Sequence, residues 1–167
     1  MQEPRIVEIA PRQLVGLSIE TSLAESKAKI IWSQLMPRRK EIKHSIQDVF
    51  YSVQVYPKGM KMEDFTPATI FTTRAAIEVP KVEDIPEGFE NYTLEGGLYA
   101  VFIHKGKVDD FPKIAAYIYG NWMPNSKYEL DERAHFEILG DKFLGPENPD
   151  SEEEVWIPIK ESNCLYI

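Results

Sequence analysis

The 167-residue chain runs through one succession of elements twice, and that repetition restricts its possible folds more than any motif does. Leu35-Met36-Pro37, followed by Arg38 to Ile42, is echoed by Trp122-Met123-Pro124, followed by Asn125 to Leu130. Each stretch leads, after about ten residues, into a strand-like segment. Each half reads strand, helix, strand, strand. A single unit of this kind cannot bury its own sheet face, so two copies must pack together. The expectation is one α+β domain over residues 1–167, a pseudo-twofold duplication of a β-α-β-β unit. It would have antiparallel sheets, two main helices and a central cleft along the junction. The first half covers about 5–79, the linker about 80–97 and the second half about 98–160.

The local signals are of familiar kinds. Residues 5–10 and 14–19 are rich in Val and Ile and read as extended, with Pro11 marking the break. Ser22-Leu23-Ala24-Glu25 has capping-box spacing, and Ala24, Ala28, Ile31 and Leu35 behind it form one apolar helical face. Pro37 should break or kink that helix. Val49 to Tyr56 is the clearest strand of this half, closed by Pro57-Lys58-Gly59, and Ala68 to Val79 can pair with it. Residues 80–97, with two prolines, three glycines and several acidic residues, mark the boundary. In the second half, Leu98 to His104 is a strand. Asp109 or Asp110 can cap a helix with Pro112 in its first turn and Phe111, Ile114, Ala115, Ile118 and Trp122 as its buried stripe. Pro124 should stop it. Ala134 to Leu139 and Val155 to Ile159 are the remaining strands, separated by an acidic, Pro-rich loop.

Composition excludes several functions. Nineteen Lys and Arg against 27 Asp and Glu give a formal charge of −8. A nucleic-acid surface would need clustered cations, and the short run Arg38-Arg39-Lys40 is followed at once by Glu41. The longest apolar run, Leu98 to Ile103, is far below the ~20 residues of a membrane span. The N-terminus shows no secretory signal pattern, so a cytoplasmic location is expected. The single cysteine, Cys164, rules out an internal disulfide or a four-Cys zinc site and should be inert. No phosphate-binding, zinc-protease or nucleophile-elbow motif is present. His44, His104 and His135 lack ligand spacing and read as surface or strand-end residues; no metal and no cofactor are expected. Glu152-Glu153-Glu154 reads as a solvated loop face, with Glu154 able to turn inward against the last strand.

The unusual residue is Glu137, a carboxylate between Phe136 and Ile138 in a short strand. Alternation puts Ala134, Phe136 and Ile138 on one face and His135, Glu137 and Leu139 on the other. With the first face against the helices, the second faces the junction of the halves. The simpler reading is a solvent-facing strand residue. The sharper reading adds the aromatics. Phe50 occupies the equivalent face of the first repeat, with Ser52 as the expected counterpart of Glu137. Together with Tyr99, Trp122 and Trp156, they could line a pocket for a flat or cationic apolar molecule.

Several stretches of the second half carry a family resemblance. They are Leu98 to Phe102, Tyr119-Gly120-Asn121-Trp122-Met123-Pro124-Asn125-Ser126 with Tyr128, His135-Phe136-Glu137, and Glu153 to Ile159. In these the chain resembles the GyrI-like small-molecule-binding domain, found as the effector-binding domain of AraC-type and MerR-type multidrug-responsive regulators. The resemblance implies paired β-α-β-β repeats and a central cleft for lipophilic, often cationic, compounds. It also implies a ligand-facing carboxylate at Glu137 and pocket aromatics at Tyr99, Trp122 and Trp156. No helix-turn-helix pattern is read in these 167 residues, so direct transcriptional control is not expected. The expected function is small-molecule sensing or sequestration without direct DNA binding. The rivals are a hydrolase of reactive compounds using Glu137 and a protein-interaction module of the gyrase-inhibitor type.

Overall fold

A computed structural model describes residues 3–46 and 49–162; Cys164 lies outside the described residues. The chain runs β1 (Arg5–Ile9), β2 (Arg12–Thr21), α1 (Ala28–Arg38), β3 (Phe50–Val55), β4 (Phe71–Val79), β5 (Glu90–Leu94) and β6 (Gly97–Lys105). It continues with α2 (Phe111–Tyr117), β7 (Tyr128–Leu130), β8 (His135–Leu139) and β9 (Glu152–Glu161). The nine strands join in one antiparallel sheet, ordered β1-β6-β9-β8-β3-β4-β2-β5, with β7 pairing to β9 off that path.

This order is the duplication in physical form. From its centre outward, one half reads β3-β4-β2-β5 and the other β8-β9-β6-β1. The halves join where β3 pairs antiparallel with β8, and in that register Ser52 sits opposite Glu137. The close approach of β2 to β4 depends on Gly16, where a Cβ would lie 2.0 Å from the Ala75 carbonyl oxygen.

Strand alternation sorts the apolar residues into two layers. On one face Ile31 and Leu35 of α1 pack on Val15, Ala75 and Ile77, while Ile114 of α2 packs on Ala100, Phe102, Val155 and Ile157. On the other face Leu14, Tyr51, Leu94, Tyr99, Phe136 and Trp156 form a third cluster, against which Val7 and Ile9 of β1 also pack. Among the described residues, no helix is long and apolar enough to cross a membrane.

Several local expectations are corrected. The Ser22 hydroxyl does accept from the Glu25 backbone N–H at 3.1 Å, but this bond holds a turn, and α1 begins only at Ala28. Thr21 captures the Lys27 N–H at 2.8 Å and draws the chain round into that start. Pro37 neither breaks nor bends the middle of α1, because it falls in the last turn, just before a 3-10 turn over Arg39–Glu41. The stretch read as a linker contains β5, which pairs with β2 from Arg12↔Leu94 to Gly16↔Glu90. Beyond α2 the backbone widens into a π-turn over Ile118–Trp122, and Pro124 is accommodated in a last helical turn that ends at Asn125.

Candidate functional site

The two helices cover the flanking strands and leave the central pair, β3 and β8, as a strip between two apolar clusters. From this strip project Phe50, Ser52 and Gln54 of β3 and His135, Glu137 and Leu139 of β8. Val155 and Glu153 of β9 continue the same face. Glu137 therefore shares its face with the helices, which corrects the expectation that the helices would take the Phe136 face. The reason lies in Phe136: with Tyr51, Tyr99 and Trp156, it supplies the other side with a complete core of its own.

Glu137 lies deep but is not sealed. The residue keeps some accessible surface, yet its Oε2 is shut away from solvent and has no hydrogen-bond partner. Burial, reinforced by the charge of Glu153 and only partly offset by the Gln54 amide, pushes its carboxyl up to about 8. The Gln54 amide also donates to the Ser52 hydroxyl at 3.1 Å. Glu153 is itself pushed up to about 7 by burial.

Around the carboxylate stand groups that sequence reasoning missed or misplaced. The Tyr119 hydroxyl, carried in by the π-turn, lies 3.1 Å from His135 Nδ1. Tyr56 meets the His135 ring edge-on at 4.9 Å and the Phe71 ring at 5.2 Å. Burial raises both tyrosine hydroxyls well above their ordinary range, and the nearby Glu137 charge adds to this. Burial also takes His135 down to about 4, so its imidazole is neutral at pH 7. On the α1 side, Trp32 packs edge-on to Phe50 at 6.2 Å. π-turns recur at functional sites because they aim a side chain that a regular helix would turn aside.

The residues expected at the site separate accordingly. Glu137, Ser52 and Phe50 come together on the strip. Trp122 lies on the same side of the sheet but beneath α2, edge-on to Phe102 at 5.3 Å and stacked near Tyr128 at 6.2 Å. Its outer edge lines a hollow of about 300 Å³ with Tyr117 and Asn121. Tyr99 and Trp156 are on the opposite face, fully packed. Their aromatic faces are already occupied: Arg133 lies 4.5 Å above Tyr99 and Arg12 5.2 Å above Trp156. His104 and His135 are buried, not at the surface. Of the acidic run, Glu153 faces the strip, whereas Glu154 ion-pairs with Arg5 at 2.8 Å and accepts from Trp156 Nε1 at 3.1 Å. Among the described residues, no group of three or more His, Cys, Asp or Glu is placed to hold a metal ion.

Comparison with known proteins places the fold in a family. A family model described as a GyrI-like small molecule binding domain matches residues 2–160. The transcriptional regulator BrlR of Pseudomonas aeruginosa is 27% identical over 157 residues, covering 93% of this chain and 54% of the regulator. The chain thus spans about half the length of that curated relative. The fold is also that of SAV2435 bound to tetraphenylphosphonium, with a TM-score of 0.67 at 15% identity, covering 95% of this chain and 94% of that one. EcmrR, in a complex with DNA, matches with a TM-score of 0.72 at 12% identity, covering 96% of this chain and 58% of EcmrR.

Proposed function

This chain belongs to the GyrI-like small molecule binding domain family, and from that premise we propose that it binds small lipophilic cations on the strip between its helices. Glu137 supplies the counter-charge, and Trp32, Phe50, Tyr56 and Tyr119 supply the aromatic walls. The observation that carries this reading is the Glu137 Oε2, a buried oxygen left without any partner. Leaving such a group unsatisfied costs on the order of 1–3 kcal/mol, more when it is charged. A cation seated there removes that cost, and a desolvated aromatic face adds attraction of about 2 kcal/mol. Ligand capture would serve sensing or sequestration.

The test follows thermal unfolding and affinity with tetraphenylphosphonium, the compound held by SAV2435, against neutral triphenylphosphine oxide. A ligand that binds only the native state raises its melting temperature by mass action. Glu137→Gln should weaken the cation by about 10- to 100-fold, the scale of a lost charge-assisted contact. It should leave the neutral compound within about twofold. Tyr99→Phe, on the far face, should change neither. Full cation affinity in the Glu137→Gln protein would overturn the reading. A chemically altered ligand recovered from the wild-type mixture alone would instead give Glu137 a general-base role.

A further inference from the structure

The strip carries a second carboxylate. Val155 of β9 is the register partner of Glu137, and Glu153 lies two residues before it, on the same face. Side chains at such diagonal positions stand about 7–8 Å apart at their Cα atoms. Among the described residues, neither Glu137 nor Glu153 takes part in an ion pair. Among the described residues, β3, β4, β8 and β9 place no Lys or Arg on this face. The titratable groups facing the pair are neutral Tyr56, Tyr119 and His135, together with His104 opposite Glu153. His104 Nε2 lies 3.0 Å from the Lys107 carbonyl oxygen and is engaged there. The acidic pair does not stand alone as evidence, because the Glu137 Oε2 is buried and unpartnered.

We propose that Glu153 is a second charge-selecting residue of this site, so that the domain prefers flat ligands with two positive centres about 7 Å apart to singly charged ones. The inference rests on the reading of Glu137 as ligand-facing. Two carboxylates this close in a dry setting oppose each other's ionisation. Each is held above the usual carboxylate range, and the charge of Glu153 contributes to the shift at Glu137. A single cation satisfies one carboxylate and leaves the other either protonated or uncompensated. A rigid dication lets both ionise and satisfies both.

Three probes of one biaryl outline separate the cases: methyl viologen (dication), 1-methyl-4-phenylpyridinium (monocation) and 4-phenylpyridine (neutral). Calorimetric titration at pH 8.5 should give wild-type protein an affinity for methyl viologen at least about tenfold above that for the monocation. Glu153→Gln should cut that ratio to within about twofold while leaving the monocation unchanged, whereas Glu137→Gln should weaken both. At pH 8.5 the melting temperature of Glu137→Gln should match or exceed that of wild type, since a buried charge is removed. Equal or weaker binding of methyl viologen by wild-type protein overturns the proposal without any variant, and so does an unchanged ratio in Glu153→Gln. If the monocation binds through Glu137 and the dication gains nothing, only this inference falls. If neither cation binds better than 4-phenylpyridine, the reading of Glu137 falls with it.

Discussion

Phe136 and Glu137 are neighbours in one strand, yet they stand in opposite environments. Phe136 has no accessible surface and stacks on Trp156 at 5.1 Å and on Tyr51 at 5.8 Å, with Tyr99 edge-on at 5.2 Å. Every ring there has a partner, and each cation nearby is an arginine of the chain itself. Across the sheet, Glu137 has a buried oxygen without a partner, and the rings around it belong to elements of both halves. An antiparallel sheet separates its side chains by parity alone. The same duplication can therefore complete a core on one face and leave a polar gap at the dyad on the other. The closed face joins the halves through packed rings, and the open one leaves a buried oxygen without a partner.

The largest effect should come from damage to the closed face. Phe136→Ala empties the centre of the aromatic stack and should cost about 3–5 kcal/mol, read as a lower denaturation midpoint. A loss under about 1 kcal/mol would mean that this face tolerates a cavity and is not the fastening between the halves.

A smaller effect separates the faces by pH. Glu137 and Glu153 titrate higher in the fold than in the unfolded chain, so the native state keeps protons that the unfolded chain releases. Their contribution to stability is full below the unfolded carboxylate range and declines as pH rises towards about 8. His135 runs the other way: with its folded value near 4, its neutral form is favoured as pH rises to about 6.5 and adds no slope above that. Between about pH 6.5 and 8.5, ligand-free protein should therefore lose about 2 kcal/mol, and Glu137→Gln should flatten most of that decline. Chemical denaturation at several pH values reads it directly. A flat wild-type profile would place Glu137 in bulk water.

The sequence made some of this legible and hid the rest for identifiable reasons. The internal echo around Met36-Pro37 and Met123-Pro124 was enough for the duplication, and hence for Ser52 standing across from Glu137. Parity correctly separated Phe136 from Glu137 but could not say which side the helices take. That choice depends on how β1, β2, β5 and β6 contribute to the far-face core, a long-range outcome. Aromatic character and the family resemblance group Tyr99 and Trp156 with Glu137, although their parity relative to Val155 and Ala100 places them opposite once the register is known. Tyr119 could not be aimed from sequence, since a regular 3.6-residue period through Ile118 and Trp122 gives no sign of the π-turn. Residue type alone reads His135 as a surface or strand-end residue and Glu153 as part of a solvated loop, and strand pairing is what buries them.

On the proposed reading, a bound cation recharges the buried Glu137 carboxyl, whose Oε2 has no hydrogen-bond partner. Calorimetric titration of tetraphenylphosphonium at pH 7.0, in two buffers of different ionisation enthalpy, counts the protons exchanged on binding. With its carboxyl pushed up to about 8, Glu137 is mostly protonated in the free protein. Wild-type protein should release between about one-half and one proton per cation bound, and Glu137→Gln should lose most of that release. Binding without proton release, or a release that Glu137→Gln leaves unchanged, would contradict the account.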